Sequence, residues 1–343
     1  MLIIRKIRTA IKVAMVGETV LPEEFATGIP DPQWEIAVML LGMGEPIDVT
    51  FRHSTACSAP FLFAIALDEG RSPTRQELSR LSLNFFEREG KRDLLGSIRL
   101  RWKEKVPVAR GELHLFAPRS VANYCLPRLS LWAHYSKHLL GQWKSKSASA
   151  MTMSFLERRA AMVSFIRPHP TVLVSVSSSF GINIFPMNIM GSLGPDRFGF
   201  ALRNDRLAGQ LVEGTGRLVL SNVPVRYASL AYGLAPNHTR AFIHQDELPF
   251  STGLSPMFQF PVPEFAVRVR EMELEKVQKF GSHSFFVARI LRDTALSDEP
   301  SLCVIHGYYE TRRLKGQAAE MKSALLEDSL NKHGEVSRRT SIV

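Results

Sequence analysis

Cysteine is scarce: the 343 residues contain three, Cys57, Cys125 and Cys303, far apart and with no Cys-x-x-Cys or Cys-x-x-His spacing. A disulfide framework and a structural zinc site therefore do not organise the chain, and a reducing cytoplasm is the expected setting. Long apolar runs are also missing, since none approaches the roughly 18 to 20 residues that a spanning helix needs, so no membrane insertion is expected. A Rossmann dinucleotide fingerprint is absent, because Glu213-Gly214-Thr215-Gly216 does not continue to a third glycine at the required spacing. Ser54 and Ser58 lie in RHSTACSAP without a Gly-x-Ser-x-Gly elbow, which removes a serine hydrolase. No repeat recurs at a fixed period, so solenoids and propellers are set aside.

Acid is in deficit: 33 Asp and Glu stand against 43 Lys and Arg, a formal net charge of +10 that favours anionic partners. The basic residues are scattered, with no helix-turn-helix, no zinc motif and no aromatic-basic interleaving, so no specific nucleic acid is expected. An apolar fraction of 45% and a charged fraction of 22% are ordinary for a folded chain. The first twenty residues have no acid before Glu18 and carry Arg5, Lys6, Arg8 and Lys12, faintly like a targeting peptide. They lack a clean apolar segment and a small-residue cleavage site, and a first strand is the preferred reading.

Along the chain, residues 1–150 are expected to form an α+β domain of unknown role. Prolines 22, 30, 32, 46, 60, 73 and 107 punctuate short strand-like runs. Cap-like Ser72-Pro73-Thr74 ahead of Leu78, Leu81, Leu83 and Phe85-Phe86 predicts an amphipathic helix over Gln76 to Glu89. Gly96 to Trp102 and Glu112 to Phe116 then predict a strand pair. Asp48, His53, Cys57 and His114 match no ligand signature, and no metal is expected. The unit closes in a basic amphipathic helix over about 128–146, where His134 and His138 stand four apart without a following Glu or a third ligand. The flexible KSKSASAMTMS marks a boundary. A short helix over Phe155 to Val163 precedes a second unit, 151–320, followed by a polar helix or tail over 321–343.

The stretch from His169 to Asn222 has the clearest pattern. Val172, Val174 and Val176 alternate with small or polar residues, Gly181 breaks the run, and Ile182 to Ile189 resumes it, predicting two adjacent strands. A third strand, Phe198 to Leu202, ends in Arg203-Asn204-Asp205-Arg206, which leads into a predicted helix over Leu207 to Gly214 and a strand over Leu218 to Asn222. A basic, amide-bearing loop at a helix start suits a phosphate.

This order of a Pro-rich entry, a Val-rich strand, Gly181-x-Asn183-x-Phe185-Pro186-Met187-Asn188 and the run from Arg203 to Asn222 resembles the flavin reductase-like family. FSTGL at 250–254, Pro261 to Pro263 ahead of MELEKV, Gly281-Ser282-His283-Ser284-Phe285-Phe286-Val287 and PSLCVIHGYY at 300–309 agree in order, the last two resembling that family's Gly-Asp-His strand and its closing strand. The resemblance covers about residues 160–315. It implies a mainly β chain whose C-terminal part is an FMN-binding split β-barrel, and a homodimer with the cofactor near the interface. It also implies a flavin cofactor, FMN or FAD, with NAD(P)H as transient co-substrate, and NAD(P)H:flavin reductase activity. The alternative is a non-catalytic flavin-binding carrier or sensor. The implied cofactor-binding residues are Asn183, Phe185, Pro186, Met187 and Asn188 against the ring, and Arg203, Asn204 and Arg206 at the phosphate. His283 is the candidate catalytic residue. Two features depart from the family: Asp205 would repel a phosphate if it pointed inward, and Ser282 stands where an acid is common.

The residues support the same ligand independently. A planar ring needs an apolar wall with backbone donors and acceptors at its edge, and a strand interrupted by Gly181 and Pro186 is expected to leave backbone groups free.

Overall fold

A computed structural model of the protein describes residues 24–30, 35–88, 92–108, 111–144, 153–178 and 181–316. The stretch read as a first strand, most of the predicted boundary at 144–154 and the tail at 321–343 lie outside the described residues.

The fold is mostly β and is dominated by two seven-stranded antiparallel sheets. The first contains β1 (Ile36–Leu41), β2 (Ile47–Asp48), β3 (His53–Ser58), β4 (Phe61–Leu67), β5 (Ser82–Glu87), β6 (Leu94–Pro107) and β7 (Glu112–Asn123). The second contains β8 (Val172–Ser178), β9 (Gly181–Met187), β10 (Met190–Ser192), β11 (Arg197–Arg203), β12 (Arg217–Asn222), β13 (Arg268–Phe280) and β14 (His283–Ala295). The first sheet runs in the order β2-β1-β5-β6-β7-β4-β3 and the second in the order β9-β8-β12-β13-β14-β11-β10. The two orders are the same, strand for strand.

Each sheet has its own core. Val172, Val174 and Val176 share one face of β8 and meet Phe185, Phe200, Leu220 and Phe286 inside the second sheet. Leu173 on the opposite face packs with Ile184, Val223 and Ala231 beneath the long connection from β12 to β13. Burial on both faces of β8 matches the unbroken apolar start of the strand, Val172-Leu173-Val174. The first core gathers Val38, Phe63, Phe85, Ile98 and Phe116 with Ala161 and Val163. The last two lie on a helix at Phe155–Ser164, so this helix, assigned by the sequence to the second unit, buries its face against the first sheet. Tyr308 and Tyr309 also join the first core, while Phe286 stacks on Phe200 with ring centroids 4.9 Å apart.

A third apolar layer, between the sheets, contains Ala56, Leu62, Ala64, Leu113 and Leu115 from the first and Ala201, Phe280, Phe285 and Val287 from the second. At its edge Gly191 comes so close to β3 that an added Cβ would stand 2.3 Å from the His53 carbonyl oxygen. Two short strands, Glu24–Ile29 and His169–Pro170, flank a third at Ser301–His306. No helix among the described residues is long and apolar enough to cross a membrane.

Two predicted elements differ. The helix expected over Gln76 to Glu89 is a single turn, α1 (Arg75–Leu78), followed by strand β5. Leu81, Leu83 and Phe85 are buried at every second position, so period two governs there and packing overrides the cap signal. The last run, expected to close as a strand through Tyr309, instead turns helical at Gly307–Gly316. Its Arg313 reaches Glu35 at 2.6 Å, and its Arg312 reaches Glu87 at 2.7 Å and Asp93 at 2.6 Å, tying that helix to the first sheet.

Candidate functional site

The basic turn lies where β11 ends. Arg203, Asn204 and Asp205 lead into α2 (Leu207–Thr215), whose N-cap, Arg206, makes no side-chain capping hydrogen bond. The first backbone N–H groups of that helix therefore keep their donor capacity, next to guanidinium charge. Antiparallel pairing of β11 with β14 sets Arg203 opposite His283. Asn204 bridges the same strands, donating from Nδ2 to the Gly281 carbonyl at 3.0 Å and accepting from Ser284 Oγ at 2.7 Å.

Asp205 does not stand as a lone negative charge. Arg203 grips it with Nε at 2.8 Å and Nη2 at 2.5 Å, and this fork holds the carboxyl below its usual range. Arg206 Nε lies 3.8 Å from the same carboxylate. The pair neutralises much of the Arg203 charge, leaving Arg206 and the helix terminus as the freer positive features.

His283 is fully buried, and first-sheet residues help to enclose it. Ser282 Oγ lies 2.7 Å from Nδ1, Ser58 Oγ lies 3.4 Å from both ring nitrogens, and Cys57 Sγ lies 3.8 Å from Nδ1. Burial, reinforced by the Arg203 guanidinium, pushes the imidazole down to about 4, so the ring is neutral at neutral pH. Cys57 donates to the Phe280 carbonyl at 2.9 Å, and burial pushes its thiol up, which removes it as a nucleophile.

The β9 wall is arranged differently from expectation. Its backbone acceptors are already taken by the segment at 237–243. Asn237 Nδ2 donates to the Ile184 carbonyl at 2.8 Å, His238 Nε2 to Pro186 at 2.7 Å, and the Ile243 amide to Ile182 at 2.8 Å. The free backbone edge inferred from Gly181 and Pro186 is thus closed, because a later stretch of chain serves as its neighbour. Phe185 and Met187 face the second core, and Phe185 meets the His238 ring at 4.7 Å. Asn188 is half-buried between β9 and β10. Asn183 donates twice, to Asn237 at 3.1 Å and Arg240 at 2.7 Å, while its buried Oδ1 has no partner among the described residues.

The structure brings Arg203, Asn204, Arg206 and His283 to one corner, whereas Asn183, Phe185 and Pro186 lie on β9 at the other end of the strand order, linked to that corner through His238, which bonds the Pro186 carbonyl and feels the charge of Arg206 and Arg203. His238 is a member that sequence reasoning missed. Burial lowers its pKa, and the nearby Arg206 and Arg203 add to that effect. The run Asn237-His238-Thr239-Arg240, dense in hydrogen-bonding side chains, was the available signal. Asp48, His53, Cys57 and His114 form no metal-ligand cluster, and none exists among the described residues. His134 packs on Tyr308 at 4.5 Å, and the side chain of His138 lies outside the described residues.

The open helix terminus and Arg206 supply the kind of donors that a flavin phosphate needs, whereas the Asn204 side chain is engaged with Gly281 and Ser284. The orphaned Asn183 oxygen would suit a ring N–H donor. The expected contacts to β9 backbone acceptors do not fit, since these are occupied.

No family model matches the chain, and no curated protein matches it. Solved structures similar to it over about two fifths of its length are FMN-binding and flavin reductase-type proteins. An FMN-binding protein from Thermus thermophilus is 22% identical, covering 40% of this chain and 82% of its own, with a TM-score of 0.36. An NADH:FAD oxidoreductase from Streptomyces globisporus is 17% identical over 44% of this chain and 89% of its own, TM-score 0.38. The styrene monooxygenase flavin reductase from Pseudomonas putida is 17% identical over 43% and 91%, TM-score 0.35.

Proposed function

We propose that the corner at Arg203–Arg206, His238 and His283 binds a flavin, FMN or FAD, and that the chain is an NAD(P)H-dependent flavin reductase. The observation that carries this reading is the uncapped N-terminus of α2, entered through a turn of two arginines and an asparagine. When bound there, a flavin would supply the redox chemistry, as the hydride acceptor for a reduced nicotinamide. Arg206 and the first α2 amides bind the phosphate, and Asn204 fixes the turn by joining β11 to β14. Neutral His283 neither supplies a charge nor needs to give up a proton, so its part is to shape and orient the site.

Purified protein given FMN or FAD together with NADH or NADPH should consume the reduced-nicotinamide absorbance. Absence of turnover with every combination would remove the reductase reading. The second reading, a flavin carrier or sensor, is favoured by the complete enclosure of His283 behind Ser58 and Ser282. Protein that holds flavin but turns over no nicotinamide would select it.

A further inference from the structure

We infer that the chain is a tandem duplication: two copies of one seven-stranded unit packed as the halves of a symmetric dimer, so that one chain by itself forms two composite corners, of which only the one at His283 suits a phosphate-bearing ligand. The last clause rests on the flavin reading above.

Three independent features carry the duplication. The first is the shared strand order, in which a third strand pairs with the fourth at one edge and a second with the first at the other. Seven antiparallel strands can be ordered in many ways, and the repeated choice includes the same non-neighbour jumps. The second is the position of the helical insertion, α1 between β4 and β5 and α2 between β11 and β12, the fourth-to-fifth connection in each case.

The third is the interface. In the shared apolar layer each sheet buries residues of its fourth, sixth and seventh strands: Leu62, Val106 and Leu113 from one, Ala201, Phe280 and Phe285 from the other. The same patch used on both sides is the mark of an isologous contact. The turns are reciprocal as well. The sixth-to-seventh turn of the second sheet rests on the third-to-fourth turn of the first, with the Ser282 amide donating to the Ala59 carbonyl at 2.9 Å. Gly281 fits there because an added Cβ would stand 2.3 Å from that oxygen. In reverse, Gly111 and Glu112, after the sixth strand of the first sheet, face Leu193 to Asp196, the third-to-fourth turn of the second, across a cleft of about 220 Å³.

These two corners are equivalent in position and opposite in chemistry. Where the second sheet has Arg203-Asn204-Asp205-Arg206 and His283, the first has Leu67-Asp68-Glu69-Gly70 and Glu112. Asp68 is paired with Arg52 at 2.5 Å and Glu112 with Lys105 at 2.5 Å, so the cations near that cleft are engaged. Asp196 and Glu69 add further negative charge. An anion is disfavoured there.

The full-length chain should therefore run as a single-chain species in light scattering at micromolar concentration. A two-chain mass would overturn the inference, because the fused halves would not then be self-sufficient. Hydrogen exchange with and without FMN should show protection at 57–60, 203–209 and 281–284, and none at 67–71 and 111–113. Protection at both corners, or at the acidic one alone, would overturn the assignment. Glu69→Gln should leave FMN affinity unchanged, and Arg206→Glu should lower it at least tenfold. Should no flavin bind, the flavin reading falls, and the mass still decides the duplication.

Discussion

The first and second sheets leave their fourth strands in different ways. After β4 the chain passes through Asp68 and Glu69 to a one-turn helix whose N-terminus is closed by its own residues. Thr74 Oγ1 accepts from the Glu77 amide, and the Glu77 carboxylate accepts from the Thr74 amide. After β11 the chain passes through Arg203 and Arg206 to a nine-residue helix with no side-chain cap. A capping box satisfies the donors that an anion would otherwise use. One topology thus yields a sealed structural turn in one place and an open, cationic one in the other. The difference lies in the side chains of the turn and in the length of the helix that follows it. The second difference is the long connection from β12 to β13, which supplies Asn237 and His238; its counterpart between β5 and β6 is the short link from Arg88 to Asp93.

The largest expected effect is at the reciprocal turns. Gly281→Ala should destabilise the protein by about 2–4 kcal/mol, because the new Cβ must displace the Ala59 carbonyl and Pro60. Gly111→Ala meets only the Leu67 carbonyl at 3.1 Å, at φ +75°, and should cost about 1 kcal/mol. Urea unfolding of both variants measures the asymmetry, and equal losses would break the comparison.

Acid should weaken the second sheet's corner. His283 titrates at about 4 in the fold against an ordinary value near 6.5, so the unfolded chain takes the proton first. Its neutral ring is accommodated without loss above pH ~6.5. Stability should fall between there and pH ~4, by up to about 3 kcal/mol from this residue. His283→Gln should flatten that part of the curve of unfolding free energy against pH. His169, pushed by burial down to about 3, adds a fall in the same direction that the variant should retain.

Asp205→Asn frees Arg203 from its fork and should raise FMN affinity a few-fold, read by fluorescence quenching; a fall would mean that the pair, and not the guanidinium, holds the turn. The smallest effect belongs to the sealed helix. Thr74→Ala should cost about 0.5–1 kcal/mol in stability and leave flavin binding untouched.

Much of the second sheet was legible because its strands carry their pattern locally. Val172 to Val176, the break at Gly181, and Arg206 before Leu207 each signal an element within a few residues, and each element falls there. The first sheet was harder. Thr74 with Glu77 reads as the start of a long helix, and only the neighbours of Leu83 and Phe85 make that stretch a strand. The closed β9 edge was equally invisible, since its partner lies some fifty residues downstream. The repetition of the unit left no trace as a sequence period, because strand order depends on which hydrogen-bonding edges meet and tolerates nearly complete replacement of the residues.

The sequence by itself determined the apolar alternation of the strands, the basic turn ahead of α2, and the scarcity of cysteine. These are properties of short windows, set by side-chain period and charge. Tertiary structure decided which groups are free to act. It paired Asp205 with Arg203, occupied the β9 carbonyls with Asn237 and His238, and enclosed His283 with Ser58 from the other sheet. Hydrogen bonds and burial between distant segments fix those outcomes, and their partners are chosen only when the two sheets come together.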